Sequence, residues 1–307
     1  MYKPEIESLY HYQSIELTAS SPAMFEKRGL KITDDIYLDK YKLEPLLGRK
    51  AYYSTLSDYN DPFEGNFGLE ASKNDAEQFL NLFRGLQSNK LATFSTNVHD
   101  AINLPFSEKH IIEAFLKKPK LLSQETIQLL KNSVGFYCLT PNPRDMTMWA
   151  HYGDNHKGIV LEFEREPNSP CGDLAFEVEY FDSPPLVRFS ELFEDLQKVQ
   201  FGMSNQEKGK VIAQSSLKKL MFSKTKVWKH EKEWRTSNGI GINDMPGKLK
   251  SITFGLNTKS AVRSYLENCV ELSDVEFKYI IKCKDSYSLK VVDKRGLQEN
   301  YWLSAIC

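Results

Sequence analysis

The stretch VGFYCLTPNPRDMTMWAHYGDNHKGIVLEFE, residues 134–164, constrains the fold more than any other part of the chain. Its ends, VGFYCL and GIVLEF, are apolar enough for buried strands, and the Pro, Asn and Asp of PNPRD break the first run before a polar, aromatic middle. The same punctuation recurs elsewhere. SLYHYQSIEL reads as a strand running into a turn, KAYYSTLS (50–57) as a strand stopped by NDPFEG, and FEVEYF (176–181) as an alternating strand. SITFGL, FKYIIKC and SLKVV add strand-like runs around a helix predicted near 260–269.

Between these runs the period changes to that of a helix. Phe79, Leu80, Phe83 and Leu86 recur every three or four residues after Asn74, and helical stretches are predicted over about 107–118, 123–132, 190–200 and 206–222. No internal repeat and no Gly/Ser or Pro-rich tether divides the chain. The expectation is one α+β domain over 1–307 with a mixed, largely antiparallel sheet and helical insertions at about 74–132 and 190–222.

Composition narrows the setting. The chain is 41% hydrophobic and 26% charged with a formal net charge of −1, so no broad electrostatic field favours nucleic acid. Its five cysteines form no CxxC pair and no disulfide framework. The N-terminal MYKPEIESLYHYQS has no basic and then apolar leader, and no window nears the roughly 18 apolar residues of a membrane span. A cytoplasmic protein without membrane partners is expected.

Four clusters place catalytic residue types at the ends of predicted strands. They are His11 with Tyr12; Asn60, Asp61 and Glu64 in NDPFE; Arg144 with Trp149, His151, Tyr152 and His156; and Trp228, Glu231, Glu233 and Arg235 in WKHEKEWR. On a continuous strand Glu231, Glu233 and Arg235 would share one face. Neighbouring carboxylates oppose each other's ionisation and an arginine offsets that, while flanking tryptophans suit a pocket that stacks a flat ring. A solvated Glu-Arg ladder is the plain alternative. NDPFE reads either as a turn with Phe63 as its apolar plug or as a ligand-facing loop. The five-residue spacing of His151 and His156 departs from the helical histidine pair of a zincin, so no metal is favoured. GxSxG, GxxxxGK[ST] and GxGxxG are absent, and Cys138 lies inside a predicted buried strand, as a core residue rather than a nucleophile.

In order, LYHYQS, LSDYNDPFEG, MWAHYGDNHKGIVLEF and KVWKHEKEWR resemble the motif series of a bacterial family catalogued as a domain of unknown function. The chain also resembles ADP-ribosyltransferases of the DarT kind, which open on LYHxT, continue with a YFxPRSPM strand and loop, and carry a late catalytic glutamate. LYHYQS, YCLTPNPRDMTMW and the Glu231/Glu233 segment follow that order, and Glu231-Lys232-Glu233 is similar to the Glu-x-Glu motif of arginine-modifying members.

The resemblance implies a split sheet and NAD as substrate. It makes Glu233 the catalytic carboxylate, Glu231 its acceptor-side helper, His11 and Tyr12 ribose or nicotinamide contacts, and Arg144 a phosphate contact. Trp149, His151 and Tyr152 would line the same cleft. Cleaving the nicotinamide-ribose bond passes through an oxocarbenium-like state that a fixed carboxylate stabilises, and neutral nicotinamide leaves without a general acid. The implied setting is a toxin or phage-defence effector with a protein or nucleic-acid acceptor. Two other readings stand beside it: a non-catalytic nucleotide- or partner-binding sensor or antitoxin in a defence system, and a metal-dependent nuclease using Asp61, Glu64 and the late glutamates.

Overall fold

A computed structural model describes residues 5–18, 22–70, 134–167, 169–198 and 215–305, with a few isolated positions between them. The chain folds as two compact units, one of Met1–Thr55, Val134–Val178 and Val227–Cys307, the other of Leu56–Ser133 and Glu179–Lys226. The secondary structure is α+β with mixed, mostly antiparallel pairing. The helices expected over 74–132 lie outside the described residues but for isolated positions. In 190–222 the described helices are Phe189–Lys198 and Leu217–Met221.

The first unit is built on a five-stranded sheet. Ser8–Gln13 pairs antiparallel with Ile159–Glu164, which pairs antiparallel with Leu249–Phe254; Glu276–Lys282 joins in parallel and Leu289–Val292 closes the edge antiparallel. Because strand side chains alternate, each strand serves two faces. Leu9, Leu161, Phe163, Ile252 and Phe254 enter the main core with the Val262 and Leu266 face of the Ser260–Glu267 helix. Tyr12, Val160 and Ile280 face the other way and form a second apolar cluster with Met148 and Trp149.

The same sheet carries a polar centre. Glu162, 4% exposed, accepts from the Ser8 hydroxyl at 2.9 Å, from the Ser251 hydroxyl and from the Lys278 ammonium at 2.8 Å. Burial alone would raise its pKa, but the hydrogen bonds from Lys278 and Ser251 and the Lys278 charge outweigh burial and hold it below the ordinary 4.5. A depressed carboxylate stabilises the fold fully above its unfolded value and loses that contribution as pH falls through the folded one. Glu162→Gln is therefore expected to flatten the decline of thermal stability below about pH 4.5, read by melts over a pH series.

A three-stranded antiparallel sheet in the same unit places Trp234–Asn238 between Gly135–Leu139 and Ala175–Glu177. FEVEYF is thus two strands, not one. Its first half pairs with Trp234–Asn238, and Val178 N–H donates to Glu233 O at 2.9 Å. Its second half, Glu179–Phe181, pairs in parallel with Ser223–Thr225 within the second unit.

Candidate functional site

Three of the four clusters belong to the first unit; Asn60, Asp61 and Glu64 belong to the second. In the second unit, Asp61 accepts from the Phe63 N–H at 2.9 Å and meets the Thr225 hydroxyl at 3.4 Å. Asp61 and Glu64 are buried and Asn60 is exposed. Phe63 is 59% exposed, so it is not the expected apolar plug; the Asx bond of Asp61 holds the turn instead.

The segment around the late glutamates corrects the strand reading. Lys226–Glu231 is a 3-10 helix, Lys232 takes a left-handed φ of 46°, and the strand starts only at Trp234. The left-handed residue breaks the alternation, so Glu231 and Glu233 do not share a strand face with Arg235 as a continuous set. The two tryptophans differ in setting: Trp234 is 3% exposed in the main core beneath the Arg165 guanidinium, 4.9 Å away, while Trp228 is half-buried and tilts against His230.

Both carboxylates are buried and hydrogen-bonded. Glu233 takes two bonds from Arg235, Nε to Oε1 at 2.7 Å and Nη2 to Oε2 at 3.1 Å, with the arginine wholly buried. Glu231, 3% exposed, accepts a 2.6 Å bond from the Tyr152 hydroxyl, and its backbone carbonyl accepts from Thr140 Oγ1 at 2.8 Å. The last two motifs therefore meet at the bond between Tyr152 and Glu231.

Tyr152 is set by the short Met146–His151 helix, whose N-cap Asp145 accepts from Thr147 and Met148 N–H. The loop that follows is strained, since Asp154, Asn155 and His156 take φ of 48°, 51° and 67°. Asn257 anchors it, its N–H donating to His156 O at 2.9 Å and its Nδ2 to Asn155 O at 3.0 Å. A Cβ at Gly255 would stand 2.2 Å from His156 O, so glycine is required there.

A cavity of about 320 Å³ opens beside this helix, lined in part by His151, Tyr152, Asp154, Arg28 and Lys42. That size is at the low end for small-molecule sites. Of the predicted ligand contacts, only His151 and Tyr152 line it. Arg144 is exposed, and Trp149 packs in the second apolar cluster with His156 stacked on it at 6.0 Å. Arg28 and Lys42 escaped sequence reasoning because no motif surrounds them.

His11 and Tyr12 point to opposite faces, as neighbours on a strand must. The Tyr12 hydroxyl donates to Asn142 O at 2.8 Å and accepts from Asp145 N–H at 3.2 Å, tying the PNPRD loop to the sheet. Tyr12→Phe is expected to cost about 1–2 kcal/mol, measured by denaturant melts. His11 stacks on Tyr137 at 4.2 Å and its Nδ1 lies 2.8 Å from Cys138 O. A carbonyl only accepts, so Nδ1 carries the proton and Nε2 keeps its lone pair. Burial pushes the His11 pKa down to about 4, which leaves the ring neutral at physiological pH.

Residues 148–236 match the family described as "Protein of unknown function (DUF2971)". The matched segment opens on Met148-Trp149 of MWAHYGDNHKG and closes just after Arg235, so it contains both motifs that the Tyr152–Glu231 bond joins. This bears out the resemblance to a domain-of-unknown-function family. No curated protein and no solved structure matches the chain. Among the described residues no group of three His, Cys, Asp or Glu side chains is placed to hold a metal, and no helix is long and apolar enough to cross a membrane.

Proposed function

We propose that the protein is an NAD-cleaving enzyme of the ADP-ribosyltransferase type, with Glu231 rather than Glu233 as its working carboxylate. The observation that carries this reading is the 2.6 Å bond to Glu231 from the hydroxyl of Tyr152, a residue that lines the cavity together with Arg28 and Lys42 while Glu231 stands buried behind it. Glu233 is neutralised by Arg235 in a buried two-bond pair, which suits a structural brace. Glu231 instead holds the phenol of a residue that lines the cavity, which couples its charge to the site.

In this scheme the cavity takes one nucleotide half of NAD, with a phosphate beside Lys42. As the bond from C1′ to the nicotinamide nitrogen breaks, its electron pair leaves with neutral nicotinamide. The positive charge on the ribose is met by the Tyr152–Glu231 couple, fixed in advance in a water-poor setting. The acceptor then attacks C1′ and loses a proton. The likeness to DarT-type enzymes supports a cytoplasmic toxin or phage-defence effector with a protein or nucleic-acid acceptor. Release of nicotinamide from NAD by wild type, lost in Glu231→Gln at unchanged melting temperature, is the test.

The burial of both glutamates favours a second reading, a non-catalytic nucleotide-binding module. It is distinguished by ligand-dependent thermal stabilisation without any nicotinamide release.

A further inference from the structure

Two charged side chains that line the cavity have bonding capacity left over, and they are of opposite sign. Lys42 follows the N-cap of the Lys40–Leu47 helix, where Asp39 accepts from Tyr41 N–H. Its ammonium donates to the Ser14 hydroxyl, and among the described residues it forms no ion pair. Burial lowers its pKa, although Asp39 and Asp154 lie near enough to support its charge. Asp39 is already engaged, because it takes two bonds from Arg28, at 3.3 and 2.5 Å.

Glu16 lines the same cavity with a side chain only 10% exposed. Its Oε2 meets Lys259 at 3.0 Å, while its Oε1 is buried with no hydrogen-bond partner among the described residues. Such a carboxylate oxygen calls for a donor, just as a half-buried ammonium with spare N–H groups calls for an anion. A simple anion would leave Glu16 unmet and repelled, a simple cation would do the same to Lys42, and an apolar ligand would serve neither. A molecule that joins a phosphate to vicinal hydroxyls satisfies both.

We propose that the cavity is a sugar-phosphate site, in which Lys42 holds a phosphate oxygen and Glu16 Oε1 accepts from ribose hydroxyls. The choice of ribose phosphate rests on the NAD reading above and makes this the half of the nucleotide that anchors the substrate. Ser14 and Arg28 act as positioning residues, the first steering the Lys42 ammonium and the second keeping Asp39 from neutralising it.

Calorimetric titration of the full chain with ADP-ribose, ribose 5-phosphate, ribose and inorganic phosphate tests this. ADP-ribose and ribose 5-phosphate should bind, and free ribose and phosphate should bind at least about tenfold more weakly. Lys42→Met should weaken ribose 5-phosphate by about tenfold or more, Lys42→Arg should retain binding, and Glu16→Gln should weaken ribose 5-phosphate while sparing inorganic phosphate. Melting curves establish that the variants fold. Equal ADP-ribose affinity in wild type and Lys42→Met, or no binding of either sugar phosphate to wild type, overturns the site. Nicotinamide release with Lys42-independent ADP-ribose binding would remove the site and leave the activity. Lys42-dependent binding without release would do the reverse.

Discussion

Arg235→Ala is expected to destabilise the protein by about 3–5 kcal/mol, because it strands a buried carboxylate. Arg235 is fully buried, Glu233 is 4% exposed, and two bonds of 2.7 and 3.1 Å join them at the start of a strand paired on both sides. Removing the guanidinium leaves Glu233 charged and without this partner in a place water does not reach, and also opens a void. Glu233→Gln should be destabilising for the converse reason, so loss of activity in that variant reports folding before chemistry. Exchanging both residues for apolar ones of similar volume should cost less than either single change. Denaturant melts of the two single variants and the double variant measure the coupling. A loss under about 1 kcal/mol for Arg235→Ala would mark the pair as an ordinary solvated bridge.

The second large effect belongs to Glu231. Glu231→Gln keeps an oxygen to accept the Tyr152 hydroxyl but removes the negative charge, so nicotinamide release should fall by roughly 10²–10³-fold with little change in melting temperature. Tyr152→Phe removes the hydroxyl and keeps the charge, which should give a smaller loss. If Glu231 were only a brace for Tyr152, the phenylalanine variant would be affected as strongly as the glutamine variant.

Much of the fold could be read from residue order. The aromatic run SLYHYQ and the apolar runs GFYCL and IVLEFE form strands where they were expected, and the helix predicted near 260–269 occurs as Ser260–Glu267, since short apolar runs between turn formers are what a buried strand requires. The failures share a cause. Lys232 adopts a positive φ that no lysine advertises, and one such residue was enough to detach Glu231 and Glu233 from the strand of Arg235. FEVEYF alternates through Tyr180 yet changes partners at Val178, because pairing is decided by distant strands.

The candidate site was legible only in part. MWAHYGDNHKG and WKHEKEWR pointed to Tyr152 and Glu231, which meet, but proximity in a motif also drew in Tyr12, Trp149 and His156, whose work is packing and loop anchoring. Arg28, Lys42 and Glu16 reach the cavity from a short helix, a capped helix and an irregular segment that carry no shared pattern. Only tertiary structure gathers them.

The most direct test is nicotinamide release from NAD by purified wild type, Glu231→Gln and Tyr152→Phe, with melting temperatures taken on the same samples. The expected result is release by wild type, near-complete loss in folded Glu231→Gln and an intermediate rate in Tyr152→Phe. Undiminished release by Glu231→Gln, or none by folded wild type, would contradict it.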